Sequence, residues 1–304
     1  MVVRKVYKDF DYQVINNMDW NVSKSFDILY VQRPYEKSQL EAIKIAKLCR
    51  MPVWIDYDDD FLNTPMSNLS YPKVLEGRET LIECIKLADL VTVSTNKLKD
   101  VYEMYSKNVF VINNTLDDSL LTLSPEYVTT RQRRILWRGW LNHRDDVKAY
   151  EDQIVAQIVK HSEYTFTFIG DVFPAFAAYK NVEFLPEQGL LQYFQLLKKL
   201  EPCICMVPLE SNAFNLAKSN IAWIEATYAG AITLAPNMEE WKQPGVSLYN
   251  SSKGDFGFKL NKLIENQEIW SPLWNHSATC IREKFLLSDN VATYYGFAED
   301  LINV

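Results

Sequence analysis

Lys218 and Glu225 stand seven positions apart in PLESNAFNLAKSNIAWIEATYAG, residues 208–230, and their types and spacing suit one chemistry. A cation at a helix N-terminus, followed two turns later by a carboxylate, can grip a nucleoside diphosphate. The helix amides and Lys218 would face the phosphates. Glu225 would accept hydrogen bonds from a ribose diol, as acidic residues do in dinucleotide folds. Glu225 lies in the apolar run AWIEATYAG, where an unpaired carboxylate is costly. Asn215 and Ser219 flank Lys218 and join it as candidate nucleotide contacts. A second cation, Arg138, follows the apolar residues ILW and precedes Gly139, Trp140 and His143. Arg138 and Lys218 could stabilise the charge of a departing diphosphate. Trp140 could stack on a base or a sugar, and His143 could touch phosphate or sugar. The neighbouring Asp145 reads as an N-cap or first-turn acid.

The run Asp56-Tyr57-Asp58-Asp59-Asp60 closes the apolar segment PVWI. Three readings compete for it. Asp56 or Asp58 could deprotonate a hydroxyl. Asp56, Asp58 and Asp60 could hold Mg²⁺ or Mn²⁺ through hard oxygens. The run could also be a solvated turn. Of the three histidines, His161 and His276 have no supporting context and read as surface residues.

These residues need strands and helices to position them, and the pattern supplies both. Apolar runs at 27–32, 52–56, 90–94 and 109–112 alternate with helical patterns at 36–49, 74–88 and 97–105. The stretch 113–133, rich in Asn, Thr, Ser and Asp, breaks the rhythm. Strands then return at 135–137, 165–169, 182–185, 203–207, 231–234 and 246–249, with helices at 145–160, 190–200 and 214–229. The tail is helical at 256–266, 272–287 and 290–304. Short apolar strands separated by helices predict parallel sheets with crossover connections. The expectation is two doubly wound, Rossmann-like α/β domains facing each other: residues 1–115, a linker at 116–133, and a nucleotide-binding domain at 134–288. A last helix is expected at 289–304.

Composition bounds the partners. The 304 residues are 48% apolar with a net charge of −7, enough for two packed cores and too acidic for a broad nucleic-acid footprint. The five cysteines show no metal-ligand spacing and read as buried free thiols of a reducing compartment. The charged residues 1–9 do not resemble a secretory leader. No apolar run reaches the ~20 residues needed to span a bilayer. The expected location is the cytoplasm. Nothing in the pattern sets an oligomeric state.

Several segments resemble GT-B glycosyltransferases, most closely the family-four-like group that uses nucleotide sugars. Ala88-Asp89-Leu90-Val91-Thr92-Val93-Ser94 resembles that group's AD-x-V-x-x-S strand entry, and Val111-Ile112-Asn113-Asn114-Thr115-Leu116-Asp117 its V-I-P-N-G-V-D run. Phe168-Ile169-Gly170-Asp171 resembles its I-V-G-D strand end, which makes Asp171 a candidate donor contact. Residues 214–230 resemble its donor helix. There Glu225 fills the second of two acidic places and Ala217 stands at the first. The resemblance implies transfer of a sugar from a nucleotide-diphosphate donor to an acceptor hydroxyl, with retention of configuration and no essential metal, with residues 1–115 on the acceptor side and the last helix, 289–304, packing back on the first domain. The acceptor stays open among glycans, lipid-linked sugars, proteins and modified nucleic-acid bases. Two other classes compete. VWIDYDDD resembles the first motif of haloacid-dehalogenase-like phosphohydrolases, with Asp56 or Asp58 as nucleophile, LVTVST the second motif, and the Ile169-Gly170-Asp171 segment weakly the fourth. A non-catalytic sugar-nucleotide or glycan-binding module would use the same fold.

Overall fold

The computed structural model describes residues 13–15, 25–251 and 254–303. The stretch 1–9, where a leader was weighed, lies outside them. The chain forms two parallel sheets. The first has the order β1-β2-β3-β4, from Leu29–Gln32, Val53–Tyr57, Leu90–Val93 and Val109–Val111. The second has six strands: β5 Arg134–Arg138, β6 Thr165–Ile169, β7 Val182–Leu185, β8 Ile204–Met206, β9 Ile232–Pro236 and β10 Val246–Tyr249. Their order is β10-β9-β8-β5-β6-β7, all parallel. The direction of winding therefore reverses between β5 and β8. In an open α/β sheet the crevice beyond the strand ends at such a reversal is where ligands bind.

Both sheets are covered on two faces, which is why their strands read as near-continuous apolar runs. In the first domain, Val53, Ile55, Tyr57, Val91 and Val93 pack with Ile43 of α1 (Lys37–Leu48), Leu81 and Ile85 of α3 (Arg78–Leu87) and Leu98 and Tyr102 of α4 (Asn96–Tyr102). The short α2 (Tyr71–Glu76) precedes α3, and Gly77 separates them. In the second domain, Ile135, Trp137, Phe166 and Phe168 face α6 (Glu151–Lys160) and α10 (Asp255–Glu265), with Ile154, Ile158, Phe256 and Leu260 opposite. The alternate strand residues Leu136 and Ile169 face Leu197 and Leu200 of α7 (Leu190–Leu200) and Ala229 of α9 (Ile221–Ala229). This is the period-2 alternation of a strand buried on both sides.

The two last helices return the chain to the first domain. Beyond α11 (Trp270–Lys284), Leu286 pairs with Leu116, and α12 (Leu287–Ile302) lays Ala298 against Trp54, Leu90 and Ile112. The segment expected as a linker is itself packed: Leu116 and Leu121 are buried with Trp223 of α9. The cysteines are free, four of them buried. Among the described residues, no helix is long and apolar enough to cross a membrane.

Two expectations change. The helix expected over 214–229 is two helices, α8 (Ala213–Leu216) and α9. Ala217 is drawn into the core of the first domain, and its carbonyl accepts a hydrogen bond from Thr95 Oγ1 at 2.9 Å rather than from the next helical turn. Lys218 therefore lies in the break between helices, not at a helix N-terminus. The phosphohydrolase pattern also fails, because its motifs must share one sheet. Asp56 ends β2 in the first sheet, whereas Asp171 follows β6 in the second.

Candidate active site

Arg138 is the last residue of β5, at the edge where the sheet reverses. The next residue, Gly139, donates its N–H to Ile169 O at 3.1 Å. Gly170 follows the neighbouring β6 with φ +100°, and a Cβ there would lie 2.0 Å from Gly139 O. Glycine is needed at Gly170 both for that left-handed backbone and for the close approach of the two strand ends.

Arg138 Nε lies 2.6 Å from Glu225 Oε2, and Tyr193 of α7 donates its hydroxyl to the same oxygen at 2.8 Å. Glu225 is thus held from two sides, as a carboxylate on a buried helix must be. Arg138 Nη2 is buried without a hydrogen-bond partner. The pairing leaves this donor to be satisfied by something the protein does not itself provide.

Lys218 reaches across the domain boundary to Asp59, with Nζ 3.1 Å from Oδ1, and lies over the Phe214 ring. Ser219 Oγ accepts from Asn114 Nδ2 at 2.7 Å. With the Thr95 contact, three polar links tie the 217–219 segment to the first domain.

His143 lies in a short 3-10 turn, Leu141–His143, before α5 (Arg144–Ala149). Its Nδ1 lies 2.9 Å from Asp146 Oδ2. Burial depresses its pKa. The Asp146 hydrogen bond opposes that, and the charges of Lys218 and Arg138 reinforce it. The ring is therefore neutral at pH 7. Nδ1 is oriented by Asp146, so Nε2 is the nitrogen available to a ligand. Asp146 is buried and also accepts Glu210 N–H at 3.0 Å and Asn215 Nδ2 at 2.6 Å. It anchors the 210–215 loop to α5.

The other candidates are placed differently. Asp171 accepts two hydrogen bonds from Arg144, at 2.6 and 2.8 Å, and one from Val172 N–H. These bonds hold its carboxyl below the usual range despite partial burial. Trp140 is exposed. The acidic run is divided among separate partners. Thr92 Oγ1 donates to Asp56 at 2.6 Å, and burial raises that carboxyl to about 6. Asp58 pairs with Arg33, and its other oxygen is buried without a partner. Burial and the adjacent Asp59 raise its pKa against the pull of Arg33. Asp60 caps the 3-10 turn Phe61–Asn63 by accepting Asn63 N–H. Among the described residues no three His, Cys, Asp or Glu side chains gather as a metal-binding group, so Asp56, Asp58 and Asp60 do not form the cation site considered for them.

Asp146 and Tyr193 are absent from the sequence reading. Asp146 had a signal, its i,i+3 spacing from His143. Tyr193 had none, because an amphipathic helix gives no hint of which polar tip meets a distant carboxylate.

No family model matches this sequence, and neither does any curated protein. Solved structures do match it in shape. The UDP-forming α,α-trehalose-phosphate synthase of Burkholderia xenovorans superposes with a TM-score of 0.64 at 10% identity, over 90% of this chain and 74% of that one. The pneumococcal O-GlcNAc transferase GtfA, in complex with UDP and GlcNAc, gives 0.65 at 12% identity, over 93% and 60%. The catalytic domain of Arabidopsis thaliana starch synthase IV, bound to ADP and acarbose, gives 0.60 at 11% identity, over 91% and 73%. The fold is GT-B. Two Rossmann-like domains and a terminal helix crossing back to the first domain are the architecture that the sequence resemblance implied. In this GT-B chain the paired Arg138 and Glu225 stand at the strand reversal of the second domain, and Lys218 lies on the boundary with the first.

Proposed function

We propose that this GT-B chain transfers a sugar from a nucleoside-diphosphate donor to an acceptor hydroxyl. The observation that carries the reading is Arg138, which ends β5 at the strand reversal with its Nη2 buried and without a hydrogen-bond partner. Two cations and an unsatisfied guanidinium N–H suit a diphosphate whose negative charge grows as the glycosidic bond breaks. Glu225, oriented by Tyr193, suits the ribose diol. Neutral His143 offers Nε2 to the sugar or phosphate. Gly139, Trp140, Asn215 and Ser219 complete the donor side in this reading. Asp58, next to the Asp59 that touches Lys218, is the acceptor-side base. Asp171 acts on the donor through Arg144. Retention of configuration, independence of a divalent ion and the domain division at 116–133 are carried over from the resemblance as parts of the same proposal. That solved proteins of this shape hold UDP or ADP supports a nucleotide donor.

The test is calorimetric titration with UDP, ADP and GDP, with and without Mg²⁺, followed by assay of nucleotide release from the matching nucleotide sugars. Micromolar binding of one nucleoside diphosphate, weakened tenfold or more in Lys218→Met, is expected. Absence of binding to all three would refute the proposal. Binding without release in the presence of a range of acceptors would assign the protein instead as a binding module.

A further inference from the structure

The two cations beyond the ends of the adjacent strands β5 and β8 are in different states. Arg138 ends β5 with Nη2 buried and without a partner. Lys218 follows β8, which pairs with β5, and it is occupied. Asp59, from the opposite domain, accepts a hydrogen bond from its Nζ at 3.1 Å. The Lys218 side chain is only 16% exposed and that of Asp59 32%. An ammonium so far removed from water needs an anion beside it. In the chain by itself, Asp59 supplies that anion.

Lys218 does not depend on this ion pair for its position. On one side of it, Ala217 is buried in the core of the first domain, and its carbonyl accepts from Thr95 Oγ1 at 2.9 Å. On the other side, Ser219 Oγ accepts from Asn114 Nδ2 at 2.7 Å. The ammonium also lies over the Phe214 ring, 4.5 Å from its centroid. Asp59 is equally well held without the pair. Its carbonyl accepts from the Tyr102 hydroxyl at 2.8 Å and from Phe61 N–H at 3.1 Å. Both partners of the ion pair are therefore fixed by other bonds, and the carboxylate has a role besides anchoring: it fills the place of an anion. We propose that Asp59 is a built-in competitor for the phosphate position, occupying Lys218 until a diphosphate displaces it. Two anions on one ammonium would stand within about 5 Å of each other and repel. Ligand binding accordingly exchanges the Asp59 contact for a phosphate contact. The exchange weakens diphosphate binding and keeps Lys218 paired before and after. It also removes one of the three polar links between the 217–219 segment and the first domain, so the first domain registers the ligand at Asp59, beside Asp58. The inference deepens the transferase reading and rests on it for the nucleotide; it concerns only how the anion gains access to Lys218.

The test is a calorimetric cycle with pyrophosphate, UDP, ADP and GDP on the wild type, Asp59→Asn, Lys218→Met and the double variant. Asp59→Asn should bind pyrophosphate and the matching nucleotide about fivefold more tightly, the strength of a partly exposed ion pair that no longer has to be broken. Asp59→Ser, which removes the same carboxylate, should do likewise. In the Lys218→Met background the gain should shrink to about twofold or less. Melting temperatures should change little, because the bonds to the Asp59 carbonyl are retained in both variants. Unchanged or weaker binding in Asp59→Asn and Asp59→Ser would show that Lys218 serves both anions at once and would overturn the proposal, while leaving the transferase reading intact. A gain undiminished in Lys218→Met would reduce Asp59 to general repulsion and overturn it too. Tighter pyrophosphate binding with no binding of any nucleotide would uphold Asp59 as the competitor and refute the transferase reading. Failure of all four ligands to bind any of the proteins would overturn both.

Discussion

Removing the charge of Asp56 should stabilise the protein, increasingly from about pH 4 and fully above about pH 6. Asp56 ends β2 with Thr92 donating to its Oδ1, and burial raises its pKa to about 6, against about 4 for the unfolded chain. Between those values the folded state binds the extra proton. Below pH 4 both states are protonated and the shift costs nothing. As the pH rises from about 4 to 6 the unfolded chain ionises while the folded protein keeps its proton, and stability is lost until the folded carboxyl itself ionises. Two pKa units correspond to about 3 kcal/mol at full effect. Asn at this position keeps an acceptor for Thr92 and never ionises. Asp56→Asn should therefore match the wild type near pH 3.5 and exceed it at pH 8 by about 2–3 kcal/mol, a melting shift of about 5 °C. Thermal melts at half-unit intervals from pH 3.5 to 8 test this. A variant whose advantage does not grow with pH, or which melts lower at pH 8, would refute the argument from burial and point to Asp56 being stabilised as an anion.

Arg138→Ala should lose about 2–3 kcal/mol of stability, because it strands Glu225 on a buried helix, and Arg138→Met with Glu225→Gln should recover most of it by chemical denaturation. Lys218→Met should cost only about 1 kcal/mol in a melt, since its ion pair with Asp59 is partly exposed, while nucleotide affinity falls about 10- to 100-fold by calorimetry. His143 has a depressed pKa, so its contribution to stability is present above pH 6.5 and lost as the pH falls through the folded value. NMR titration of the three histidines should show one late-protonating ring that disappears in His143→Gln. Gly170→Ala should lose at least about 2 kcal/mol in denaturation, from its positive φ and the collision with Gly139 O.

The amino-acid sequence by itself determined the alternation of buried strands and helices. Most strands announce themselves as mainly apolar runs, because parallel strands covered on two faces leave few polar positions in the pattern. The strands at 165–169, 182–185 and 246–249 fall where the pattern places them. Arg138 at a strand end and Glu225 on an apolar helix were legible for the same local reason. What only the tertiary structure decided is which charge answers which. Arg138 meets Glu225 and Tyr193 because winding reverses between β5 and β8. Lys218 meets Asp59 because Ala217 is pulled into the other domain's core, which breaks a helix that local propensity would continue. The four aspartates of the 56–60 run look equivalent on paper, yet each turns to a different partner. Period and burial are properties of a short segment, but the partners of Arg33, Arg138 and Lys218 lie tens to over a hundred residues away, and only the folded chain brings them together.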